Sequence, residues 1–358
     1  MKKKVLSLLM ATAMIAAVLA GCGSDDGNTT ADSTNSAAST DNTTNDSETA
    51  DDSVSTADEA SGSDKVYNIG ICQFVEHPAL DLATEGFEDA LKELLGEANV
   101  NFHFQNAQGE ATNCSTIANQ FVTNDVDLIM ANATPPLQAA AAATNTIPII
   151  GTSITDYATA LDIADWTGAT GTNISGTADL APIEEQENML LELFPDVQKV
   201  GILYCSAEPN SKYQAELFED CLHVDGIAYE EYTAADSNEI QAVVTSAIDS
   251  CDVLYIPTDN TMASSTELID NIARPAGVPI IAGEEGICAV CGVATLSISY
   301  YDIGYTAGEM AYEILVNGAD ISTMDIKYAP QVTKEYNVSI CEELGITVPD
   351  DYVAIATE

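Results

Sequence analysis

Four short polar loops carry the residues with the clearest chemistry in this sequence: Asn132-Ala133-Thr134-Pro135, Gly151-Thr152-Ser153, Pro257-Thr258-Asp259-Asn260-Thr261 and Gly283-Glu284-Glu285. Each follows a run of aliphatic residues, so each is expected where a strand gives way to a helix. The first two loops offer hydroxyls and helix N-terminal N–H groups, and the last two offer carboxylates. That division suits a zwitterion, because a carboxylate needs donors and an ammonium needs an anionic acceptor. Thr134 and Ser153 are therefore the candidates for the carboxylate of an α-amino acid, and Asp259 for its ammonium. A plainer reading stays open beside this one, in which Asp259 or Thr261 caps a helix starting near Met262.

Nothing in the chain arranges a nucleophile, a base and an orienting acid at motif spacing, so no catalytic residue is expected. His77 lies in Phe74-Val75-Glu76-His77-Pro78 and reads as a hydrogen-bonding group at a cleft rim, with Pro78 opening a helix. Its counterpart later in the chain is Ala207-Glu208-Pro209-Asn210-Ser211, which supplies another polar wall. Cys288-Ala289-Val290-Cys291 has the spacing of a redox pair or of half a zinc site. No second such pair follows, and His77, His103 and His223 show no ligand spacing, so no metal or cofactor is expected. Most cysteines beyond Cys22 read as small buried hydrophobes.

The elements that must hold these loops alternate strand and helix. Strands are predicted near 66–73, 100–105, 126–131 and 147–151, and again near 199–204, 227–232, 252–256 and 278–282, with amphipathic helices between them. The two halves share residues as well as order. Val66, Gly70, Ile71, Pro78, Glu85, Phe87, Glu88, Asp89 and Leu91 recur without a gap as Val197, Gly201, Ile202, Pro209, Glu216, Phe218, Glu219, Asp220 and Leu222. The same shift carries Pro148-Ile149-Ile150 onto Pro279-Ile280-Ile281. This pattern predicts an α/β fold of two Rossmann-like lobes with parallel sheets, whose carboxyl edges face each other across a cleft. The first lobe is expected over 65–174 with 293–323 returning to it, and the second over 175–292 with 324–358 returning. Three hinge crossovers would join them.

The N-terminus reads as an export signal over 1–21: Met1-Lys2-Lys3-Lys4 is basic, and 5–20 carry no charge but are too few for a membrane span. Leu19-Ala20-Gly21-Cys22 resembles the bacterial lipobox, which implies lipidation of Cys22 and a cell-membrane location on the extracytoplasmic face. Residues 23–64 contain no aromatic residue, no Lys and no Arg, so 22–64 is expected to be a disordered acidic tether behind its lipid. The whole chain has 10 basic and 57 acidic side chains, a formal charge of −47. That charge excludes nucleic acid as a partner and leaves lipid contact to the anchor alone.

Four segments together carry a family resemblance: IGICQFVEHPALDLATEGFEDAL at 69–91, SAEPNS at 206–211, IPTDNT at 256–261 and GVATLSISYYDIGYTAGEM at 292–310. They resemble the TrpX-type family of ABC transporter substrate-binding lipoproteins, over about 66–349. The resemblance implies a type I periplasmic-binding-protein fold and an aromatic amino acid such as tryptophan as ligand. It also implies a monomer working with ABC permease and ATPase subunits. It places Glu76, His77, Pro78, Asn210, Ser211, Thr258, Asp259, Asn260, Glu284 and Tyr301 around the cleft. Phe74, Tyr300 and Tyr301 are then candidates to stack on an aromatic side chain. Two alternatives stay open: a lipoprotein that presents its closed form to a membrane receptor, and capture of another solute such as a nucleoside or sugar.

Overall fold

Short aliphatic runs between polar turns bury both faces of their strands, as the middle strands of a parallel sheet require. A computed structural model describes residues 65–329 and 331–355, within the compact unit Gly62–Glu358. The expected signal segment, the Cys22 lipid site and the tether over 22–64 lie outside the described residues. The strands are β1 (Tyr67–Gln73), β2 (Val100–Asn106), β3 (Leu128–Asn132), β4 (Ile149–Ile154) and β5 (Ile174–Ala178). There follow β6 (Lys199–Cys205), β7 (Ala228–Ala234), β8 (Val253–Ile256), β9 (Ile280–Ala282) and β10 (Ala294–Ser297). β11 (Lys327–Tyr328), β12 (Thr333–Tyr336) and β13 (Val353–Ala354) complete the set.

Two sheets result, in the order β11-β5-β4-β3-β1-β2 and β13-β12-β10-β9-β8-β6-β7. The shared order from the edge inward is the sequence duplication made visible. All pairings are parallel except β10 with β12. Helices cover both faces of each sheet. In the first lobe, Ile69 and Ile71 of β1 meet Phe87, Leu91 and Met310, while Cys72 lies on the other face with Phe121 and Leu137. This is the period-two alternation of a strand expressed as two hydrophobic layers.

The chain crosses between the lobes three times, at places that differ from those expected. The boundary placed at 174 falls at the start of β5, but β5 pairs with β4, so the first crossing comes after Ala178. The return to the first lobe expected at 293 is delayed, since β10 pairs with β9 in the second sheet. Only then does helix Tyr300–Leu315 pack against helix Pro78–Leu95. The return to the second lobe expected at 324 comes after Tyr328, because β11 pairs with β5. The two short strands that follow, β11 and β12, belong to different sheets, β11 to the first and β12 to the second. Pairing partners far away in sequence decide all three points, and local composition does not carry them.

Seven of the eight described cysteines are buried, and Cys221 is half-buried. Cys288 and Cys291 sit in the apolar layer with Ile287 and Ile280, where burial pushes both thiols up. Their environment is a protein core, which favours the protonated, inert form.

Helices Pro78–Leu95 and Tyr300–Leu315 cross closely through glycine. A Cβ at Gly304 would meet the backbone of Ala83, and one at Gly86 would meet that of Tyr301. Gly304→Ala is therefore expected to force the helices apart at about 1–3 kcal/mol. Thermal melting checks this, with a drop of about 2–4 °C per kcal/mol for a protein of this size. An unchanged melting temperature would contradict the close crossing.

Candidate functional site

The segments that follow β1, β4, β6, β8 and β9 and the first crossing after β5 converge on one cavity. His77, Ser153, Thr155 and Asp179 from the first lobe face Asn210, Asp259, Asn260 and Glu284 from the second. Tyr300, at the second crossing, closes one end. The cavity among them is about 10 Å³, the room of a single water. A larger cavity of about 480 Å³ lies beside the crossings and touches the small one only through Glu284 and Tyr300. The chemistry gathers around the small one.

Among the described residues no lysine or arginine lines the small cavity, although three carboxylates do. Two of them are held by backbone N–H groups at helix starts. Asp259 accepts from Met262 N–H at 2.8 Å and from Cys205 N–H at 2.6 Å, and burial together with the charge of Glu208 raises its pKa. Glu284 accepts from Gly286 and Ile287 N–H, each at 2.6 Å, yet burial still pushes its carboxyl up to about 7. Asp179 differs from both. Its Oδ2 accepts from the Tyr300 hydroxyl at 3.0 Å, its Oδ1 has no partner, and burial pushes the carboxyl up to about 6. Asp259, the acid expected to meet an ammonium, lines the cavity but already serves the chain's own backbone. Both its oxygens serve the backbone, as the capping alternative had it, and the acid with a free oxygen is Asp179.

Four buried atoms around this one cavity lack hydrogen-bond partners: His77 Nδ1, Ser153 Oγ, Asp179 Oδ1 and Asn210 Oδ1. A buried polar atom left unsatisfied costs about 1–3 kcal/mol, so their gathering in one place calls for a ligand. Ser153 also has φ 56, an unusual backbone state for a non-glycine residue. Such strain tends to collect where function holds a side chain in place.

The other expected residues fall elsewhere. Phe74 is in the first-lobe core beside Cys72, because strand alternation turns it to the sheet face covered by helix Ala111–Thr123. Thr134 is buried at the start of helix Thr134–Ala143 and does not line the cavity. Pro135 and Pro136 also deprive that helix start of two N–H donors. Tyr301 points away from the small cavity and donates to Asp89 at 3.3 Å, one residue's rotation around the helix from Tyr300. Glu76 and Pro78 are exposed at the cleft rim, opposite residues 263–268. Ser211 is buried and accepts from Asn210 Nδ2 at 3.2 Å. Asn210 Nδ2 also donates to the Thr258 carbonyl at 3.2 Å.

Sequence reasoning passed over Thr155, Asp179 and Gln214. Gln214 Nε2 donates across the cleft to Thr155 Oγ at 3.4 Å and to the Thr258 carbonyl at 3.2 Å. The signal for Asp179 was a lone aspartate directly after β5 and before Pro182, outside the loops that the duplication made comparable.

Comparison with known proteins supplies the family. The model of the family described as ABC transporter substrate binding protein matches residues 68–358. The chain is 36% identical over 329 residues to the tyrosine-binding protein of Clostridioides difficile, covering 90% of this chain and 88% of that one. A crystal structure of an ABC domain in complex with L-Trp from Streptococcus pneumonia matches with TM-score 0.77 and 32% identity, over 80% of this chain and 97% of that one. A ligand-free, open structure of a Clostridium difficile substrate binding protein is more identical, at 35%, but its TM-score is 0.62, over 82% and 100% of the two chains. Lower structural similarity at higher identity is the mark of a different lobe arrangement, so the lobes here lie nearer the L-Trp-bound form. From the family match and the 36% identity over most of its length, the chain belongs to the ABC transporter substrate-binding proteins.

Proposed function

We propose that this chain captures an L-amino acid, of the aromatic class, in the cavity between its lobes and hands it to an ABC permease and ATPase. The observation that carries this reading is the convergence of four unpartnered buried polar atoms on one cavity. The tyrosine-binding protein and the L-Trp complex, both above 30% identity, support the ligand class. In this reading the ammonium sits on Asp179, the one cavity acid with a free oxygen. The carboxylate takes the Ser153 hydroxyl and the N–H groups of Ala79 and Leu80 at the start of helix Pro78–Leu95, which precede the bond from Asp81 N–H to the His77 carbonyl. The Tyr300 ring and Leu80 supply the apolar wall. A neutral sugar or nucleoside brings no ammonium, so it would leave Asp179 unanswered.

A cavity of about 10 Å³ admits no amino acid, so the ligand enters an opened form and stabilises closure. Binding without conversion fits the site, since His77 Nε2 faces Asn260 and not a nucleophile. A lipid on Cys22 would keep the binding lobes near the permease on the outer face of the membrane.

A thermal-shift screen of the amino acids tests the proposal. L-tyrosine or L-tryptophan at 100 times its dissociation constant should add about 2.7 kcal/mol of stability. Asp179→Asn keeps the acceptor for Tyr300 and removes the charge, so affinity is expected to fall by about 30-fold or more. The reading fails when no amino acid stabilises the protein, or when Asp179→Asn binds like the parent.

The ligand-free protein should also lose stability as pH rises from about 6 to about 8. Asp179 at about 6 and Glu284 at about 7 hold protons in the folded state well above their ordinary 3.8 and 4.5, so folding is favoured at the lower pH. His77, whose pKa burial lowers from 6.5, acts in the opposite sense only below that value. Melting scans across this range, with and without ligand, should show the slope shrinking when an ammonium faces Asp179. A flat ligand-free profile would contradict the burial of these acids.

A further inference from the structure

His77 and Glu208 occupy equivalent positions in the duplicated halves, each preceding the proline that opens its helix. Neither side chain caps its own helix. Both turn instead to Asn260, His77 across the cleft and Glu208 from within the second lobe.

The hydrogen bonds around Glu208 settle which way Asn260 points. Glu208 is 1% exposed. Its Oε1 accepts from Thr261 N–H at 2.8 Å and Thr261 Oγ at 2.7 Å, and its Oε2 accepts from Asn260 N–H at 3.1 Å. Each oxygen thus faces a backbone N–H, which can only donate, so both oxygens are acceptors. The Asn260 side-chain atom 2.6 Å from Oε2 must then be its amide nitrogen. That leaves Asn260 Oδ1 facing His77 Nε2 at 3.1 Å, and an oxygen acceptor requires the hydrogen on Nε2. In a neutral imidazole with Nε2–H, Nδ1 carries the lone pair. His77 Nδ1 is buried, has no partner and belongs to a residue lining the cavity.

We propose that Glu208, acting through Asn260, is a positioning residue that fixes the His77 tautomer, so that Nδ1 joins Asp179 Oδ1 and Asn210 Oδ1 as three acceptors for one primary ammonium. Asn210 Oδ1 counts as an acceptor because its amide nitrogen lies among the oxygens of Glu208, Ser211 and Thr258, which are enough to take both its hydrogens. Three acceptors match the three N–H groups of an unsubstituted α-ammonium. The site accordingly selects a free amino group and rejects N-acylated and N,N-dialkylated analogues. This inference rests on the amino-acid reading above.

Two measurements on the full chain test it. Nitrogen-15 NMR of labelled histidine reads the tautomer directly in the ligand-free protein, with His77 assigned by the signal lost in His77→Asn. The expected state is Nε2–H, shifting toward Nδ1–H in Glu208→Gln, whose amide lets Asn260 turn over; a role confined to folding would not move this signal. Calorimetry then compares L-tyrosine with N,N-dimethyl-L-tyrosine, whose cation keeps one N–H; about 100-fold weaker binding is expected, from two lost charge-assisted hydrogen bonds. An Nδ1–H tautomer in the parent protein overturns the relay even where L-tyrosine binds, and needs no variant to fold. Equal affinity for the two ligands overturns the acceptor set and leaves the amino-acid reading standing. Failure of every amino acid to bind overturns both.

Discussion

Carboxyl groups buried without cations set the terms for this molecule. Asp179, Glu208, Asp259 and Glu284 are each at least 95% buried around the meeting line of the two lobes, and among the described residues no lysine or arginine lines the cavity there. An ionised carboxylate taken out of water is costly unless donors replace the lost hydration. Here the donors are backbone N–H groups at helix starts, which also carry the positive end of the helix dipole. Glu284 takes the N–H groups of Gly286 and Ile287, Asp259 that of Met262, and Glu208 those of Asn260 and Thr261. A parallel α/β sheet brings such helix starts together at one edge, so the fold itself provides the counter-charge. Asp179 stands apart because it follows β5 at a crossing, where no helix begins to receive it.

That difference separates architecture from recognition. Acids answered by the chain's own backbone build the loops, and the one left with a free oxygen is available to a ligand. The same logic explains why neutral His77 fits the site. Burial lowers its pKa while the charges of Glu208 and Asp81 oppose, and an imidazolium beside Asp179 would compete with an incoming ammonium.

The two halves share a residue pattern and a sheet order, and they differ in the polar residues they bring to the cleft. Helices Pro78–Leu95 and Pro209–Asp225 keep their opening proline, while the residue before it is His77 in one and Glu208 in the other. Both reach Asn260, so a pair of equivalent positions meets at one residue, His77 from across the cleft. Among the described residues few direct bonds span the cleft: His77 to Asn260 at 3.1 Å and Gln214 to Thr155 at 3.4 Å. A closed form held by so few contacts is one that a bridging ligand can stabilise by a large factor.

How much of this was legible before the tertiary structure depends on the range of the interaction involved. Strand and helix order, the duplication and the shared sheet order follow from local periodicity and repeated residues, because burial of one face imposes a period whatever the partner. The residues of Thr258-Asp259-Asn260 and Glu284 were also placed at the cleft from their position after a strand. Phe74, Thr134 and Tyr301 were misjudged, since a one-residue turn of strand or helix sends a side chain to the opposite layer, and only packing reveals which layer is the cleft. The crossings at Ala178, Ser297 and Tyr328 were likewise hidden, being decided by strand pairing between distant segments. Asp179 and the Glu208–Asn260–His77 chain needed three dimensions for the same reason: whether a polar atom is satisfied is a property of everything around it, and a sequence records only its neighbours along the chain.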